Sequence, residues 1–153
     1  MNFEELNWNM NLALEEANKA FGQDEVPVGA VIIGPDGKLL ASQHNLKEQL
    51  KDPTAHAEIY AIREASKNLD NWRLEGCSIF VTLEPCPMCL HALMQARIKN
   101  LYFGAYDKKG GSLSLGYNFH KDSKLNHTFN VTGGLKHKEC SELLSTFFKQ
   151  KRR

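Results

Sequence analysis

The chain has 153 residues, 42% of them hydrophobic and 24% charged, with a formal net charge of +1. A chain of this size buries roughly 70% of its unfolded surface on folding, so residues 1–153 read as a single domain with one core. The balance excludes a strongly basic nucleic-acid coat and an acidic disordered tail, and no run approaches the ~20 apolar residues of a membrane span.

The average hides an asymmetry. Residues 1–26 carry six acids and one base, whereas residues 136–153 carry six bases and two acids. The start is acidic, unlike a secretory signal, which predicts a cytoplasmic chain. In that setting four cysteines point to free thiols or metal ligands and away from a disulfide framework.

Leu6, Met10, Ala13, Leu14 and Ala17 recur at helical spacing and predict an amphipathic helix from about Phe3 to Ala20. The β-branched run Val28–Ile33 ends at Gly34-Pro35-Asp36-Gly37, a turn leading to a second strand near Lys38–Ser42. Asp52-Pro53-Thr54 has helix-start chemistry, and Ala57, Ile59, Ala61, Ile62 and Ala65 form the apolar side of the helix that follows. Cys77–Leu83 reads as a strand, and Pro85-Cys86-Pro87 opens a third helix through about Arg97. Leu101–Phe103 is a further strand, followed by a long loop from Asp107 to Ser123, a weak strand at Val131 and a final helix over Glu139–Lys149. This alternation predicts a layered α/β domain whose later strands are parallel. Leu90, Met94 and Ile98 form an apolar stripe that serves either a dimer contact or the core.

Two short motifs carry chemistry. His56-Ala57-Glu58 opens the second predicted helix, and Pro85-Cys86-Pro87-Met88-Cys89 opens the third. A lone C-x-x-C fits a redox pair or half of a structural zinc site, but a redox pair leaves His56 without a role. One imidazole and two thiolates supply three ligands, and zinc with three protein ligands keeps its fourth position for water. The remaining histidines and thiols lack comparable spacing, and Cys77 and Cys140 read as buried thiols. His56 and Glu58 are two residues apart, so they can converge on one water only at a helix N-terminus. The positive end of a helix also favours thiolates. Two thiolates weaken zinc as a Lewis acid, which makes Glu58 the expected proton shuttle from water to a ring nitrogen and then to a leaving amine.

H-x-E followed by P-C-x-x-C is the signature of zinc nucleobase deaminases. The chain resembles the bacterial tRNA-specific adenosine deaminases over nearly its full length. The matching stretches are Glu25–Val31, Asp52–Glu58, Trp72–Cys77, Val81–Cys86, Phe103–Ala105, Asn126-His127 and Leu143–Phe148. The resemblance implies a three-layer cytidine-deaminase-like fold, with a central mixed five-stranded sheet and helices on both faces. It implies a homodimer, one Zn2+ per chain, and conversion of adenosine to inosine at the wobble position of a tRNA anticodon by a zinc-activated hydroxide. It assigns the metal ligands to His56, Cys86 and Cys89, the proton shuttle to Glu58 and a substrate contact to Asn45.

The C-terminal third adds expected RNA contacts at Asp107, Phe147, Phe148 and Arg152. Cations there meet phosphates and an aromatic ring stacks a splayed base. Asp107 either accepts from a ribose 2′-hydroxyl or caps its own loop. Of the two adjacent phenylalanines, helical spacing sends one to the core and one towards substrate. The run Glu84–Leu90 also resembles guanine deaminases of the same superfamily, so deamination of a free base or nucleoside is the alternative activity.

Overall fold

The computed structural model describes residues 1–151; Arg152 and Arg153 lie outside them. Helix α1 (Phe3–Gly22) begins at Asn2, whose side chain accepts from the Glu5 amide at 2.9 Å. This contact satisfies one of the free donors of the first turn. Strands β1 (Gly29–Ile33) and β2 (Leu39–His44) form the expected hairpin, with β2 running two residues further than the pattern predicts. That extension brings Asn45 directly to the strand end.

A single-turn helix, α2 (Lys47–Leu50), has no apolar stripe and no counterpart in the periodicity. It is held from outside, because the Glu25 carboxylate accepts from the amides of Glu48 (3.0 Å) and Gln49 (2.7 Å). Helix α3 (Ala57–Leu69), strand β3 (Ser78–Leu83), helix α4 (Pro87–Gln95) and strand β4 (Asn100–Ala105) follow. Helix α4 stops two residues before Arg97, which adopts a left-handed backbone with φ 63°. The long loop contains a 3-10 turn (Phe119–Lys121), after which come β5 (Asn130–Thr132) and α5 (His137–Lys151).

The five strands lie in the order β2-β1-β3-β4-β5. β1 is antiparallel to both β2 and β3, while the β3–β4 and β4–β5 pairs are parallel. Alternation along β1 sorts the layers. Val31 and Ile33 pack with Met10 and Ala13 of α1 and Cys140 of α5. Ala30 and Ile32 pack in the opposite cluster with Ala57, Ala61 and Ala65 of α3 and Leu90 and Leu93 of α4. The stripe Leu90, Met94 and Ile98 is buried in this second cluster, so it belongs to the core and not to a dimer contact.

The approach of α1 to the sheet depends on Gly29. A Cβ there would fall 2.0 Å from the Ala13 carbonyl oxygen and 2.5 Å from the Ala17 nitrogen. On the other side, α3 closes the free edge of β2. Glu64 Oε1 accepts from the Ser42 amide at 2.7 Å, and Asn68 Nδ2 donates to the Leu40 carbonyl at 2.8 Å. An edge strand occupied in this way offers less template for pairing with another chain. No helix among the described residues is long and apolar enough to cross a membrane.

Candidate active site

Both motifs fall at helix N-termini. His56 is the N-cap of α3 and Glu58 its second residue; Cys86 is the N-cap of α4, with Pro87 first and Cys89 third in that helix. A first-turn proline gives up no hydrogen bond, because that amide is unpaired in any helix. Neither His56 nor Cys86 caps its own helix with its side chain. Asn45 caps α3 in place of His56, its Oδ1 accepting from the buried Ala57 amide at 2.8 Å. The imidazole is thereby left free for another partner.

His56 Nδ1 lies 3.6 Å from Cys86 Sγ and 3.4 Å from Cys89 Sγ, and the three atoms all lie within 4.8 Å of one another. A tetrahedral zinc roughly 2.3 Å from sulfur and 2.0 Å from nitrogen would set each sulfur about 3.5 Å from the nitrogen. The donor set and spacing therefore fit a metal ion of that kind. Among the described residues no fourth His, Cys, Asp or Glu completes the group.

Electrostatics follow burial and contact. Glu58 is 4% exposed, and burial pushes its carboxyl up to about 7. The Cys86 thiol is pulled down to about 4, chiefly by its hydrogen bond with Cys89 and further by His56. Cys89, the donor of that pair and itself buried, is pushed up, and contact with Cys86 raises His56.

Beside Asn45 opens a cavity of about 900 Å³, lined by Gln23, Glu25, Asn45, Lys47, Phe147, Phe148 and Lys151 among others. Three expected substrate contacts (Asn45, Phe147 and Phe148) thus share one cleft. Phe147 is 6% exposed, packed edge-on against Phe21 with centroids 5.7 Å apart, whereas Phe148 is 43% exposed. Adjacent helical residues diverge by about 100°, which explains the division. Lys151 forms an ion pair with Asp24 at the cleft.

Asp107 is not among the residues lining this cavity, nor are His56, Glu58, Cys86 and Cys89, which the cavity reaches only by way of Asn45 and its bond to the Ala57 amide. Asp107 Oδ1 accepts from the amides of Lys109 (3.2 Å) and Gly110 (3.1 Å), so it caps its own loop, while Oδ2 makes no hydrogen bond among the described residues. Arg152 falls outside the described residues. Sequence reasoning assigned no role to Glu25 or Glu84, two buried carboxylates of which the first holds α2 and the second holds the loop after β4. For Glu84 the available signal was an acid directly following the apolar strand β3; Glu25, next to Gln23 and Asp24, offered none.

A family model described as MafB19-like deaminase matches residues 4–152. A tRNA-specific adenosine deaminase of Haemophilus influenzae is 47% identical over 143 residues, covering 94% of this chain and 83% of that protein. A solved structure from studies of A-to-I editing by tRNA:A34 deaminases at the wobble position of transfer RNA superposes with a TM-score of 0.84. It is 46% identical and covers 89% of this chain and 98% of its own. A guanine deaminase structure from Nitrosomonas europaea superposes with a TM-score of 0.77 at 23% identity, over 92% of this chain and 83% of that one, a likeness of fold alone. The cytidine-deaminase-like architecture expected from the resemblance is common to these structures, and the chain belongs to the family of tRNA-specific adenosine deaminases.

Proposed function

We propose that residues 1–153 form one zinc-dependent deaminase domain that converts adenosine to inosine at the wobble position of a tRNA anticodon. The observation that carries this reading is the three-donor group of His56, Cys86 and Cys89 with the buried carboxyl of Glu58 beside it. These three residues would hold the zinc. When bound, zinc supplies Lewis acidity that makes water nucleophilic near neutral pH.

Glu58 takes a proton from the attacking water on its carboxylate. It delivers protons to the adenine ring nitrogen and then to the amine, so that water is consumed and ammonia leaves. Burial raises the proton affinity of the Glu58 carboxyl, which favours its accepting a proton from water and holding it for return to the substrate. Asn45 uses Oδ1 on α3, and its Nδ2 is the donor left for a base or ribose acceptor. The exposed ring of Phe148 offers a stacking face, Lys47 lines the same cleft, and the exposed Lys108 and Lys109 are further cations that can meet phosphates. An anticodon loop already displays unpaired bases, which lowers the cost of extracting one.

The chain is proposed to work as a cytoplasmic homodimer. An apolar groove of about 380 Å³ between α3 and α4, lined by Ile59, Ile62, Trp72, Ala92 and Ala96, is the face that supports pairing. The direct test is product formation by the zinc-loaded protein from an adenosine-containing anticodon stem-loop, free adenosine, free guanine and free cytidine. Inosine from the stem-loop alone is the expected result. Turnover of guanine alone would establish the free-base alternative instead.

A further inference from the structure

Glu84 stands one residue beyond β3 and two before Cys86, and it is 2% exposed. No cation pairs with its carboxylate among the described residues. Three donors from the segment after β4 converge on it instead. Oε1 accepts from the Asp107 amide (3.0 Å) and the Ser114 hydroxyl (2.6 Å), and Oε2 accepts from the Ser114 amide (2.8 Å).

The neighbouring backbone continues the fastening. The Glu84 amide donates to the Ala105 carbonyl at 2.8 Å, and the Pro85 carbonyl accepts from the Ser112 amide at 2.8 Å. Gly111 makes the room, since a Cβ there would lie 2.2 Å from the carboxyl carbon of Glu84. Asp107, held at one end of this clasp, caps Lys109 and Gly110 in turn, and the side chains of Lys108 and Lys109 stand exposed.

An unpaired buried carboxylate is costly unless donors surround it, and here every donor comes from one loop. The same few residues of β3 and its extension therefore fix both the metal-ligand backbone at Cys86 and the basic loop. We propose that Glu84 is a positioning residue that locks the Asp107–Tyr117 loop to the strand end carrying Cys86. The lock holds Lys108 and Lys109 in register with the catalytic group for the RNA backbone. This inference rests on the tRNA reading above.

The test uses the zinc-loaded full chain and its Glu84→Gln variant, which keeps the size of the side chain but turns one acceptor into a donor facing donors. Steady-state kinetics on an anticodon stem-loop should show KM raised roughly tenfold with kcat within about threefold, and a shallower salt dependence of RNA affinity. Metal content should match the wild type.

The Lys108→Ala/Lys109→Ala double variant should raise KM similarly, and should add little in the Glu84→Gln background, because a released loop no longer aims those lysines. Ser114→Ala removes only the hydroxyl donor and provides a milder variant should Glu84→Gln not fold; it should raise KM by a smaller factor. A fall in kcat at unchanged KM, loss of metal, or effects that multiply independently would overturn the positioning role while leaving the tRNA reading intact. Absence of stem-loop turnover by the wild-type protein would overturn both.

Discussion

Asn45 has two jobs that one substitution can separate. Its Oδ1 caps α3 at the Ala57 amide, and its Nδ2 remains for substrate. Asn45→Ala should cost about 1 kcal/mol of stability, as the loss of a helix cap does, and should also impair turnover. Asn45→Asp retains an acceptor that the helix N-terminus favours, so urea unfolding should recover while the KM for stem-loop RNA does not. Glu58 is not one of the three metal donors, so Glu58→Gln should keep its zinc by metal analysis and lose roughly 10²–10⁴-fold in inosine formation. The cysteines divide in the same way. Burial pushes Cys77 up and Cys140 up to about 12, whereas Cys86 stands at about 4 when no metal is present. Removing zinc with a chelator at neutral pH should therefore expose Cys86 first to an alkylating reagent, followed by mass spectrometry, with Cys77 and Cys140 unlabelled in the folded protein.

The contact of α1 with β1 is set by a missing side chain, and Gly29→Ala tests it. The added methyl would enter the backbone of α1 at Ala13 and Ala17, so the helix must lift. A loss of roughly 1–3 kcal/mol or more is expected in urea unfolding, typical of overpacking against an element that gives way only as a whole. The 3-10 turn holds a second test. His120 is buried, and burial lowers its affinity for a proton. The unfolded chain then binds that proton more tightly, so the stability contributed by neutral His120 is present above about pH 6.5 and is lost as pH falls through the lowered folded value. His120→Phe should flatten this acid limb in unfolding midpoints measured against pH. Elements with their own periodicity, such as α1 and α3, were legible in the sequence to within a few residues, whereas β1, apolar on both faces, read only as a β-branched run and its division between two layers was not legible. Nor was helix α2, because the carboxylate that holds it belongs to Glu25, more than twenty residues earlier. The same reason hides Glu84, whose partners lie beyond β4. The ligand group was legible because a metal demands particular donors at particular spacings, while a carboxylate that receives backbone amides leaves no pattern among its partners.

Charge is arranged along the molecule and not merely summed. Helix α1 carries Glu4 and Glu5 in its first turn, and its 20 residues extend about 30 Å before the chain reaches Asp24 at the cleft. Helix α5 brings Lys149 and Lys151 to that same end, where Phe147 packs on Phe21. An RNA approaching the cleft thus meets Lys47 and Lys151 beside the acids Asp24, Glu25 and Glu48, with Glu4 and Glu5 of the first turn far away. With several phosphates engaged, affinity for a stem-loop should fall roughly tenfold or more between 50 and 200 mM salt, whereas turnover of a free nucleoside, if any is detectable, should not respond. Of the acids lining the cleft, Glu25 is taken up by the amides of α2, whereas Asp24 neutralises Lys151 through their ion pair. It also occupies a left-handed backbone position (φ 62°), a conformation that asparagine tolerates well. Asp24→Asn therefore removes an acid from the cleft and releases a lysine with little strain. Stem-loop affinity measured across a salt series should rise and its salt dependence should steepen by about one phosphate contact. An unchanged slope would mean that RNA does not pass this end of α5.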